Sequence, residues 1–416
     1  MKKYSLYKYI CGLLLPFIIV AAVQAQTGHD TAAGTLSLED YLNRVGKSNL
    51  TYLSEQLNVK MADAEIIAQK VLPDPELNFE ALNENFVVEL GYTVELGNKR
   101  GARVRLARSE AELARLNLTW FFEELRAEAT DAFLEAIFQR ERLNMKKSSY
   151  EYMLQLSRSD SIRFRSGEIT ENDARQSRLE AATLLNEVYQ QEAEYKAALV
   201  TLNQYMGHST DTLSMPVGSW DSLGREYILS DLIASGLTRR LDLVAASKEM
   251  EVANNQVRLA RAERKMDVDL MVGYERDWKG AFPARENLKA GLTIPLKFSN
   301  INKGSLKVAR FQADQKQYNY RNTQLEVETS ICQAFYYFEA AKKQVAHYRS
   351  GLLDESKKVL EGMVYTYRRG ESGILDVLIA QRTYNEVQEQ YLEVMKGYVS
   401  SLVNLQKTCG MWDIRF

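Results

Sequence analysis

Two periodicities alternate along this chain. Apolar residues recur three and four apart over 38–70, 99–163, 170–206, 231–264, 303–368 and 373–408, which predicts six amphipathic helices. Strict alternation replaces that pattern in four shorter stretches. Leu77, Phe79 and Ala81 oppose Asn78 and Glu80. Leu90, Tyr92, Val94 and Leu96 oppose Glu89, Gly91, Thr93 and Glu95. Met266, Val268, Leu270, Val272 and Tyr274 oppose Asp267, Asp269, Gly273 and Glu275. Leu288, Ala290, Leu292, Ile294 and Leu296 oppose Lys289, Thr293 and Lys297. Each reads as a two-faced strand. The prolines after residue 25, at Pro73, Pro75, Pro216, Pro283 and Pro295, all avoid the helical stretches. Proline removes a helix hydrogen bond and clashes with the preceding turn, so this placement supports the helix limits.

The elements occur twice in the same order, and the two halves match each other. Asp74 falls on Asp267, Thr93 on Thr293, Gly167 on Gly370 and Asp173 on Asp376. The drift between the halves is taken up in loops, most of it around Lys279 to Asn287. The expected organisation is a first repeat over 26–206 with a β-hairpin near 76–97, and a second over 229–408 with a hairpin near 266–298. Segments 207–228 and 409–416 are not helical in pattern and lie outside the repeats.

Residues 1–25 carry Lys2, Lys3 and Lys8, an apolar stretch from Ile10 to Val20, and the small-residue pattern Val23-Gln24-Ala25. That is a secretory signal peptide, with cleavage expected after Ala25. Cys11 precedes most of the apolar stretch and Gln26, not Cys, directly follows the cleavage site, so the usual lipoprotein signal is absent. Removing it takes away three Lys and no acids, leaving 50 basic against 55 acidic residues. This balance gives no support to nucleic-acid binding. No later run of 18 apolar residues occurs, so no transmembrane helix is predicted. An exported chain can still enter a membrane through β-strands of about 9–11 residues. Tyr92, Tyr274, Trp278 and Phe282 stand where an interfacial aromatic belt would sit, and Glu89, Glu95, Asp267, Asp269 and Lys289 would face a lumen. A soluble sandwich with one wet face reads the same alternation. Four strands are too few for a membrane barrel, whose usual minimum is about eight, and open edges are not tolerated in lipid. Membrane strands would therefore require several copies to share one barrel.

The helical run from Lys99 to Arg165 would extend roughly 99 Å at 1.5 Å per residue, which suits a tube projecting from a membrane. The turns at Ser166-Gly167 and Gly370-Glu371 would then lie together at its far end.

With these features assembled, the chain resembles the TolC family of outer-membrane efflux channels over nearly all of its mature length. The segment Glu95-Leu96-Gly97-Asn98-Lys99-Arg100-Gly101-Ala102-Arg103 resembles the strand-to-helix junction of the CzcC/CusC-like heavy-metal branch. Tyr367-Arg368-Arg369-Gly370, with Asp376-Val377-Leu378 and Ala380-Gln381, resembles the family's periplasmic tip. The resemblance implies an α+β membrane protein, with a long α-helical barrel and a transmembrane β-barrel completed by trimerisation. Segments 207–228 and 409–416 would be equatorial. It further implies a homotrimer in outer-membrane lipid, docked to a periplasmic adaptor and an inner-membrane pump of the RND type. The implied function is passive conduction of small molecules or metal ions from periplasm to exterior.

Carried over by position, Tyr367 and Asp376 match residues that constrict the closed pore of the family. Ser372 and Ile379 depart from the tip pattern, so the family's closed-state network does not transfer. Three Asp376 carboxylates would form a ring that favours cations. Equally open is a local role, with Asp376 capping its own hairpin. Arg165, Gly167, Arg368, Arg369 and Gly370 would form an adaptor-docking rim, unless the arginines simply complement helix C-termini.

Catalytic chemistry is not indicated. His29, His208 and His347 are far apart, there is no phosphate-binding glycine loop and no zinc-spaced Cys pair, and the twelve Met are scattered. No cofactor or metal site is expected, and the chain is not expected to be an enzyme. Cys332 lies 38 residues before Gly370 and Cys409 lies 39 after it, so a hairpin would bring both to one height. A disulfide between them is the sharper reading and two separate buried thiols the favoured one. Two other functions fit the same sequence: a type I protein-secretion duct, and a non-channel periplasmic coiled-coil structural or adaptor protein.

Overall fold

The computed structural model describes residues 35–81, 85–208, 213–218, 225–277, 285–296 and 301–414. The signal peptide, Trp278, Phe282, Pro283, Lys297 and the last two residues lie outside the described residues. The chain opens with a short strand, β1 (Thr35–Leu36), that pairs in parallel with β4 (Met215–Pro216). This pair has no alternation to announce it, because each strand is only two residues long.

The first helical stretch is two helices, α1 (Leu38–Ser48) and α2 (Leu50–Ala68). Ser37 caps α1 by accepting from the Asp40 N–H at 3.1 Å. Asn49 breaks the run with an extended backbone (φ −63°, ψ 119°) and its side chain caps α2 through the Tyr52 N–H at 2.9 Å. The corresponding stretch of the second half breaks in the same way. Arg240 (φ −63°, ψ 123°) separates α5 (Leu229–Arg239) from α6 (Leu241–Ala262). In both places one non-helical ψ redirects the axis while the apolar spacing runs on.

Between these lie the 67-residue helix α3 (Lys99–Arg165) and α4 (Glu171–Tyr205). In the second half, α7 (Lys303–His347) passes through a π-turn at Tyr348–Leu352 into α8 (Leu353–Arg368), followed by α9 (Ile374–Thr408). The π-turn replaces the unbroken helix expected over 303–368. Gly351 has φ 124°, a region that residues with a β-carbon rarely adopt. Gly167 (φ +77°) and Gly370 (φ +76°) end α3 and α8 at the two hairpin turns. No helix among the described residues is long and apolar enough to cross a membrane.

One antiparallel sheet joins the halves, in the order β2 (Glu76–Ala81), β3 (Asn85–Val94), β5 (Val268–Asp277), β6 (Arg285–Thr293). The central pair β3–β5 aligns Val88 with Tyr274 and Val94 with Val268. All four connections to helices leave from one end of the sheet. Among the described residues, β2 and β6 each have a neighbour on one side only.

The helices pack around two main apolar clusters. The larger includes Tyr41, Leu125, Phe133, Leu202, Ile331, Phe338 and Leu402 from five helices, with Cys409 at the end of α9. A smaller one nearer the turns gathers Met153, Leu156, Leu184, Leu360, Val364, Tyr367 and Val377.

Candidate functional site

The sheet is sorted by chemistry. Its register places Leu77, Leu90, Val272 and Ala290 in one row, and Phe79, Val88, Tyr274 and Leu288 in the next. Side chains directly opposite each other share a face, so these rows form one apolar surface. That surface has no cover in the single chain: Leu288 is 86% exposed and Phe79 is 68% exposed. The reverse face carries Asn78, Glu89 and Lys289 in one row, with Thr93, Asp269 and Thr293 in another. Lys289 pairs with Glu275 at 2.7 Å, Asn85 donates to Glu275 at 3.0 Å, and Thr93 donates to Asp269 at 2.6 Å. Glu89, Asp269 and Lys289 therefore share the polar face, as their alternation predicted.

Glu95 and Asp267 are a correction. The strands end at Val94 and begin at Val268, so both residues lie in the strand–helix junction rather than on the sheet. Glu95 takes a two-pronged bond from Arg103, at 2.5 and 2.9 Å. Asp267 accepts from Lys99 at 2.5 Å and from the Leu96 N–H at 3.2 Å. Lys99 is buried, so this pair is the more costly to break. The junction motif thus has a physical content: two ion pairs and the left-handed Asn98 fix the angle at which α3 leaves the sheet.

At the opposite end, the α3–α4 and α8–α9 hairpins are tied together. Tyr367 is 3% exposed and its hydroxyl donates to Asp160 Oδ1 at 3.0 Å. Asp160 is itself fully buried, and Oδ2 has no hydrogen-bond partner. Burial pushes its carboxyl above the ordinary range, against the opposing pull of the Ser177 and Tyr367 hydroxyls and of Arg163. The Arg163 guanidinium lies 4.9 Å from the Tyr367 ring centroid. Tyr367 was expected at a pore constriction. Instead its helical phase, shared with Leu360 and Val364, turns the ring into the protomer's own core. Asp160 was missed by the sequence reading. The signal was available, because Asp160 continues the stripe of Met153, Leu156 and Ser157, where a lone carboxylate needs a partner.

Asp376 is exposed and its carboxylate accepts from the Gly373 N–H at 3.2 Å, the local capping role. Asp173 does the same for α4, in a full capping box with Thr170. Arg165 and Arg368 are exposed beside the turns, while Arg369 is engaged by Glu371 at 3.0 Å and by the Tyr365 hydroxyl at 2.9 Å. Of the two readings of the cysteines, the structure has the favoured one, two free thiols, although Cys332 is half-buried rather than buried. Helix α5 packs against the helices of both cysteines, and Ser235 donates to the Cys409 carbonyl at 3.4 Å. A β-carbon on Gly236 would run into Ile331 and lie 3.6 Å from the Thr408 carbonyl. Burial raises the Cys409 thiol to about 11.

Two long helices also carry apolar stripes that the single chain leaves open. Phe311, Tyr318 and Leu325 stand seven residues apart on α7, with Tyr318 69% exposed. Leu50, Leu57 and Met61 are exposed on α2. Seven-residue apolar spacing is the signature of a helix–helix seam.

A sheet apolar on one side and polar on the other, set on long paired helices, is the arrangement expected of an outer-membrane channel subunit. Residues 232–411 match the family described as outer membrane efflux protein, so the chain carries an efflux-protein domain. It is 24% identical to the cobalt-zinc-cadmium resistance protein CzcC of Cupriavidus metallidurans, covering 96% of this chain and 98% of that one. It is 23% identical to the pyoverdine export outer membrane protein OpmQ of Pseudomonas putida, covering 80% of this chain and 72% of OpmQ. The fold matches that of CusC with a TM-score of 0.75 at 15% identity, over 92% of this chain and 96% of CusC. The chain is thus a homologue of outer-membrane efflux channels.

Proposed function

We propose that this chain is the channel subunit of a tripartite efflux system, a passive conduit across the outer membrane and periplasm. The observation that carries the reading is the four-stranded sheet with one apolar face and two unsatisfied edges. In lipid such edges must be paired, so β6 of one copy would meet β2 of the next. Three copies of four strands would give a 12-stranded barrel, above the usual minimum of about eight. The apolar rows would then face lipid, and Glu89, Asp269 and Lys289 the lumen. The stripes on α2 and α7 supply complementary seams for the same assembly, and two tandem repeats would give the tube its near-uniform wall.

At the far end, Arg165 and Arg368 beside the Gly167 and Gly370 turns offer a basic rim for an adaptor, which would couple the conduit to an inner-membrane pump. An Asp376 ring is compatible with its capping role, since the carboxylate stays exposed. Its cargo would be set mainly by the pump. The junction motif from Glu95 to Arg103 and the likeness to CzcC favour metal ions over organic cargo. The test is direct. Purified from outer membrane in detergent, the chain should be oligomeric and should form discrete ion-conducting pores in planar bilayers. Leu325→Glu, in the α7 stripe, should give monomer and no pores. Wild-type protein that is monomeric and soluble without detergent would refute the proposal.

A further inference from the structure

Where the helices leave the sheet, one side of their layer carries cations that the chain does not neutralise. At 100° per residue, Arg105 and Arg108 lie across α3 from Lys99 and Arg103, whose partners Asp267 and Glu95 continue the polar phase of the strands. The side bearing Arg105 and Arg108 therefore continues the apolar surface of the sheet. Glu112 shares that side, and Lys248 bridges it to Glu251 on α6. Arg258 and Arg261 follow Glu251 on the same side of α6. On α7, Lys303 and Arg310 stand across the helix from Lys316, which pairs with Glu249 on the reverse side of α6. That reverse side is half-buried at Glu249, Val252, Gln256 and Glu263, as the concave side of a curved layer is, so the basic side is the convex one. The six cations are exposed, and none has an ion-pair partner among the described residues. Arg258 donates to the neutral Asn255 at 3.3 Å. Of the acids nearby on this side, Glu112 and Glu251 are engaged by Lys248 and Asp63 by Arg115, which leaves Asp314 on α7 against six positive charges. All six lie within about 14 Å of the sheet ends of their helices at 1.5 Å per residue.

We propose that this belt is a binding surface for anionic phospholipid headgroups, in the leaflet on the helical side of the membrane. The inference rests on the channel reading, which puts the adjoining apolar rows in lipid. A bilayer's headgroup layer is about 5–8 Å deep on each side, and Arg and Lys reach into it by laying their stems along apolar surface. The belt is also in want of negative charge. Arg105 with Arg108, and Arg258 with Arg261, are like charges three apart on one helix, a spacing that repels. Lys303 begins α7, and neither α3 nor α7 has an acid in its first turn, although a helix N-terminus favours negative charge. Phosphate groups between the helices would relieve both. A shallow groove of about 630 Å³ along α6, lined in part by Asn254, Arg258 and Arg261, gives a headgroup a polar seat. Guanidinium groups match phosphate oxygens with paired donors.

The test reconstitutes the full chain at neutral pH into mixed phosphatidylcholine–phosphatidylglycerol bilayers with a trace of either lipid spin-labelled. The motionally restricted part of the spectrum reports lipid held at the protein surface. Phosphatidylglycerol should be held at least about fivefold more strongly than phosphatidylcholine, and high salt should weaken the preference. Combining Arg105→Gln, Arg108→Gln, Arg258→Gln and Arg261→Gln should bring the two lipids to within about twofold. Conductance in the same bilayers shows that this variant is folded. Removing as many exposed charges far along the helices, by Lys147→Gln, Arg158→Gln, Arg178→Gln and Lys357→Gln, should leave the preference as in wild type. Conducting wild-type protein that holds both lipids equally would overturn the proposal while the channel reading stands, and would leave the belt to an acidic protein partner. A preference that survives the belt substitutions, or falls equally with the distant ones, would also overturn it. Protein that neither conducts nor restrains lipid would overturn both readings.

Discussion

The bond between Tyr367 and Asp160 makes a sharp prediction. Tyr367→Phe deletes one oxygen and leaves the ring among Leu360, Val364 and Met153, with Arg163 still above it. What is lost is a hydrogen bond to a fully buried carboxylate whose second oxygen already lacks one. Leaving such an acceptor unpaired costs about 1–3 kcal/mol, because the group gains no water in exchange. That corresponds to a rise of about 5- to 150-fold in the opening equilibrium between the hairpins. Hydrogen exchange followed by mass spectrometry on the detergent-solubilised chain reads this locally. Peptides from 150–165 and 360–380 should exchange faster in the variant. Peptides of the large cluster, such as 125–138, should not change, since they lie far along α3 from the substitution. Unchanged exchange at the tip would mean that the hydroxyl contributes nothing to holding the hairpins together. Acceleration everywhere would mean that the tip is not an independent unit.

The same carboxylate gives the tip a pH dependence. Asp160 titrates higher in the fold than the ordinary Asp value of about 3.9, so the fold favours its protonated form. Its contribution to stability is present at low pH and lost as pH rises through the raised value. Asp160→Asn should flatten that slope in tip exchange measured from pH 4 to 8. Lys99→Met removes the ion-pair partner of Asp267, which keeps the Leu96 N–H, and should destabilise the protein by about 1–3 kcal/mol, read as a lower melting temperature, because a charge-assisted hydrogen bond to a partly buried carboxylate is lost. Iodoacetamide at pH 8 should label Cys332 well before Cys409, which is fully buried with its thiol raised to about 11, and mass mapping without reductant should show no bond between them.

Much of this architecture was legible because two periodicities dominate the chain. The strand faces follow directly from alternation, and the register confirms the shared polar face of Glu89, Asp269 and Lys289. Alternation failed where it outran the strand: Glu95 and Asp267 keep the polar phase but belong to the junction, where ion pairing decides their direction. The helices were visible and their interruptions were not. Asn49 and Arg240 each change one ψ angle, which leaves the apolar spacing intact. Gly351 sits inside a periodic stretch and reads as a tolerated glycine, although its backbone is left-handed. Tyr367 was placed by likeness to a motif, when its spacing from Leu360 and Val364 already pointed inward. Asp160 needed its partner 207 residues away in another hairpin, and no local pattern connects the two.

The parity of the sheet has a consequence for how many chains can assemble. Each neighbouring pair from β2 to β6 is antiparallel, so the first and last strands run in opposite directions. A copy set beside another therefore always presents an antiparallel seam, and a closed ring never meets a directional mismatch whatever its membership. The strands alone cannot count. In the assembly proposed above, stoichiometry would then be written in the curvature that the helical seams impose, and a substitution in α2 or α7 would alter the number of subunits without touching a strand.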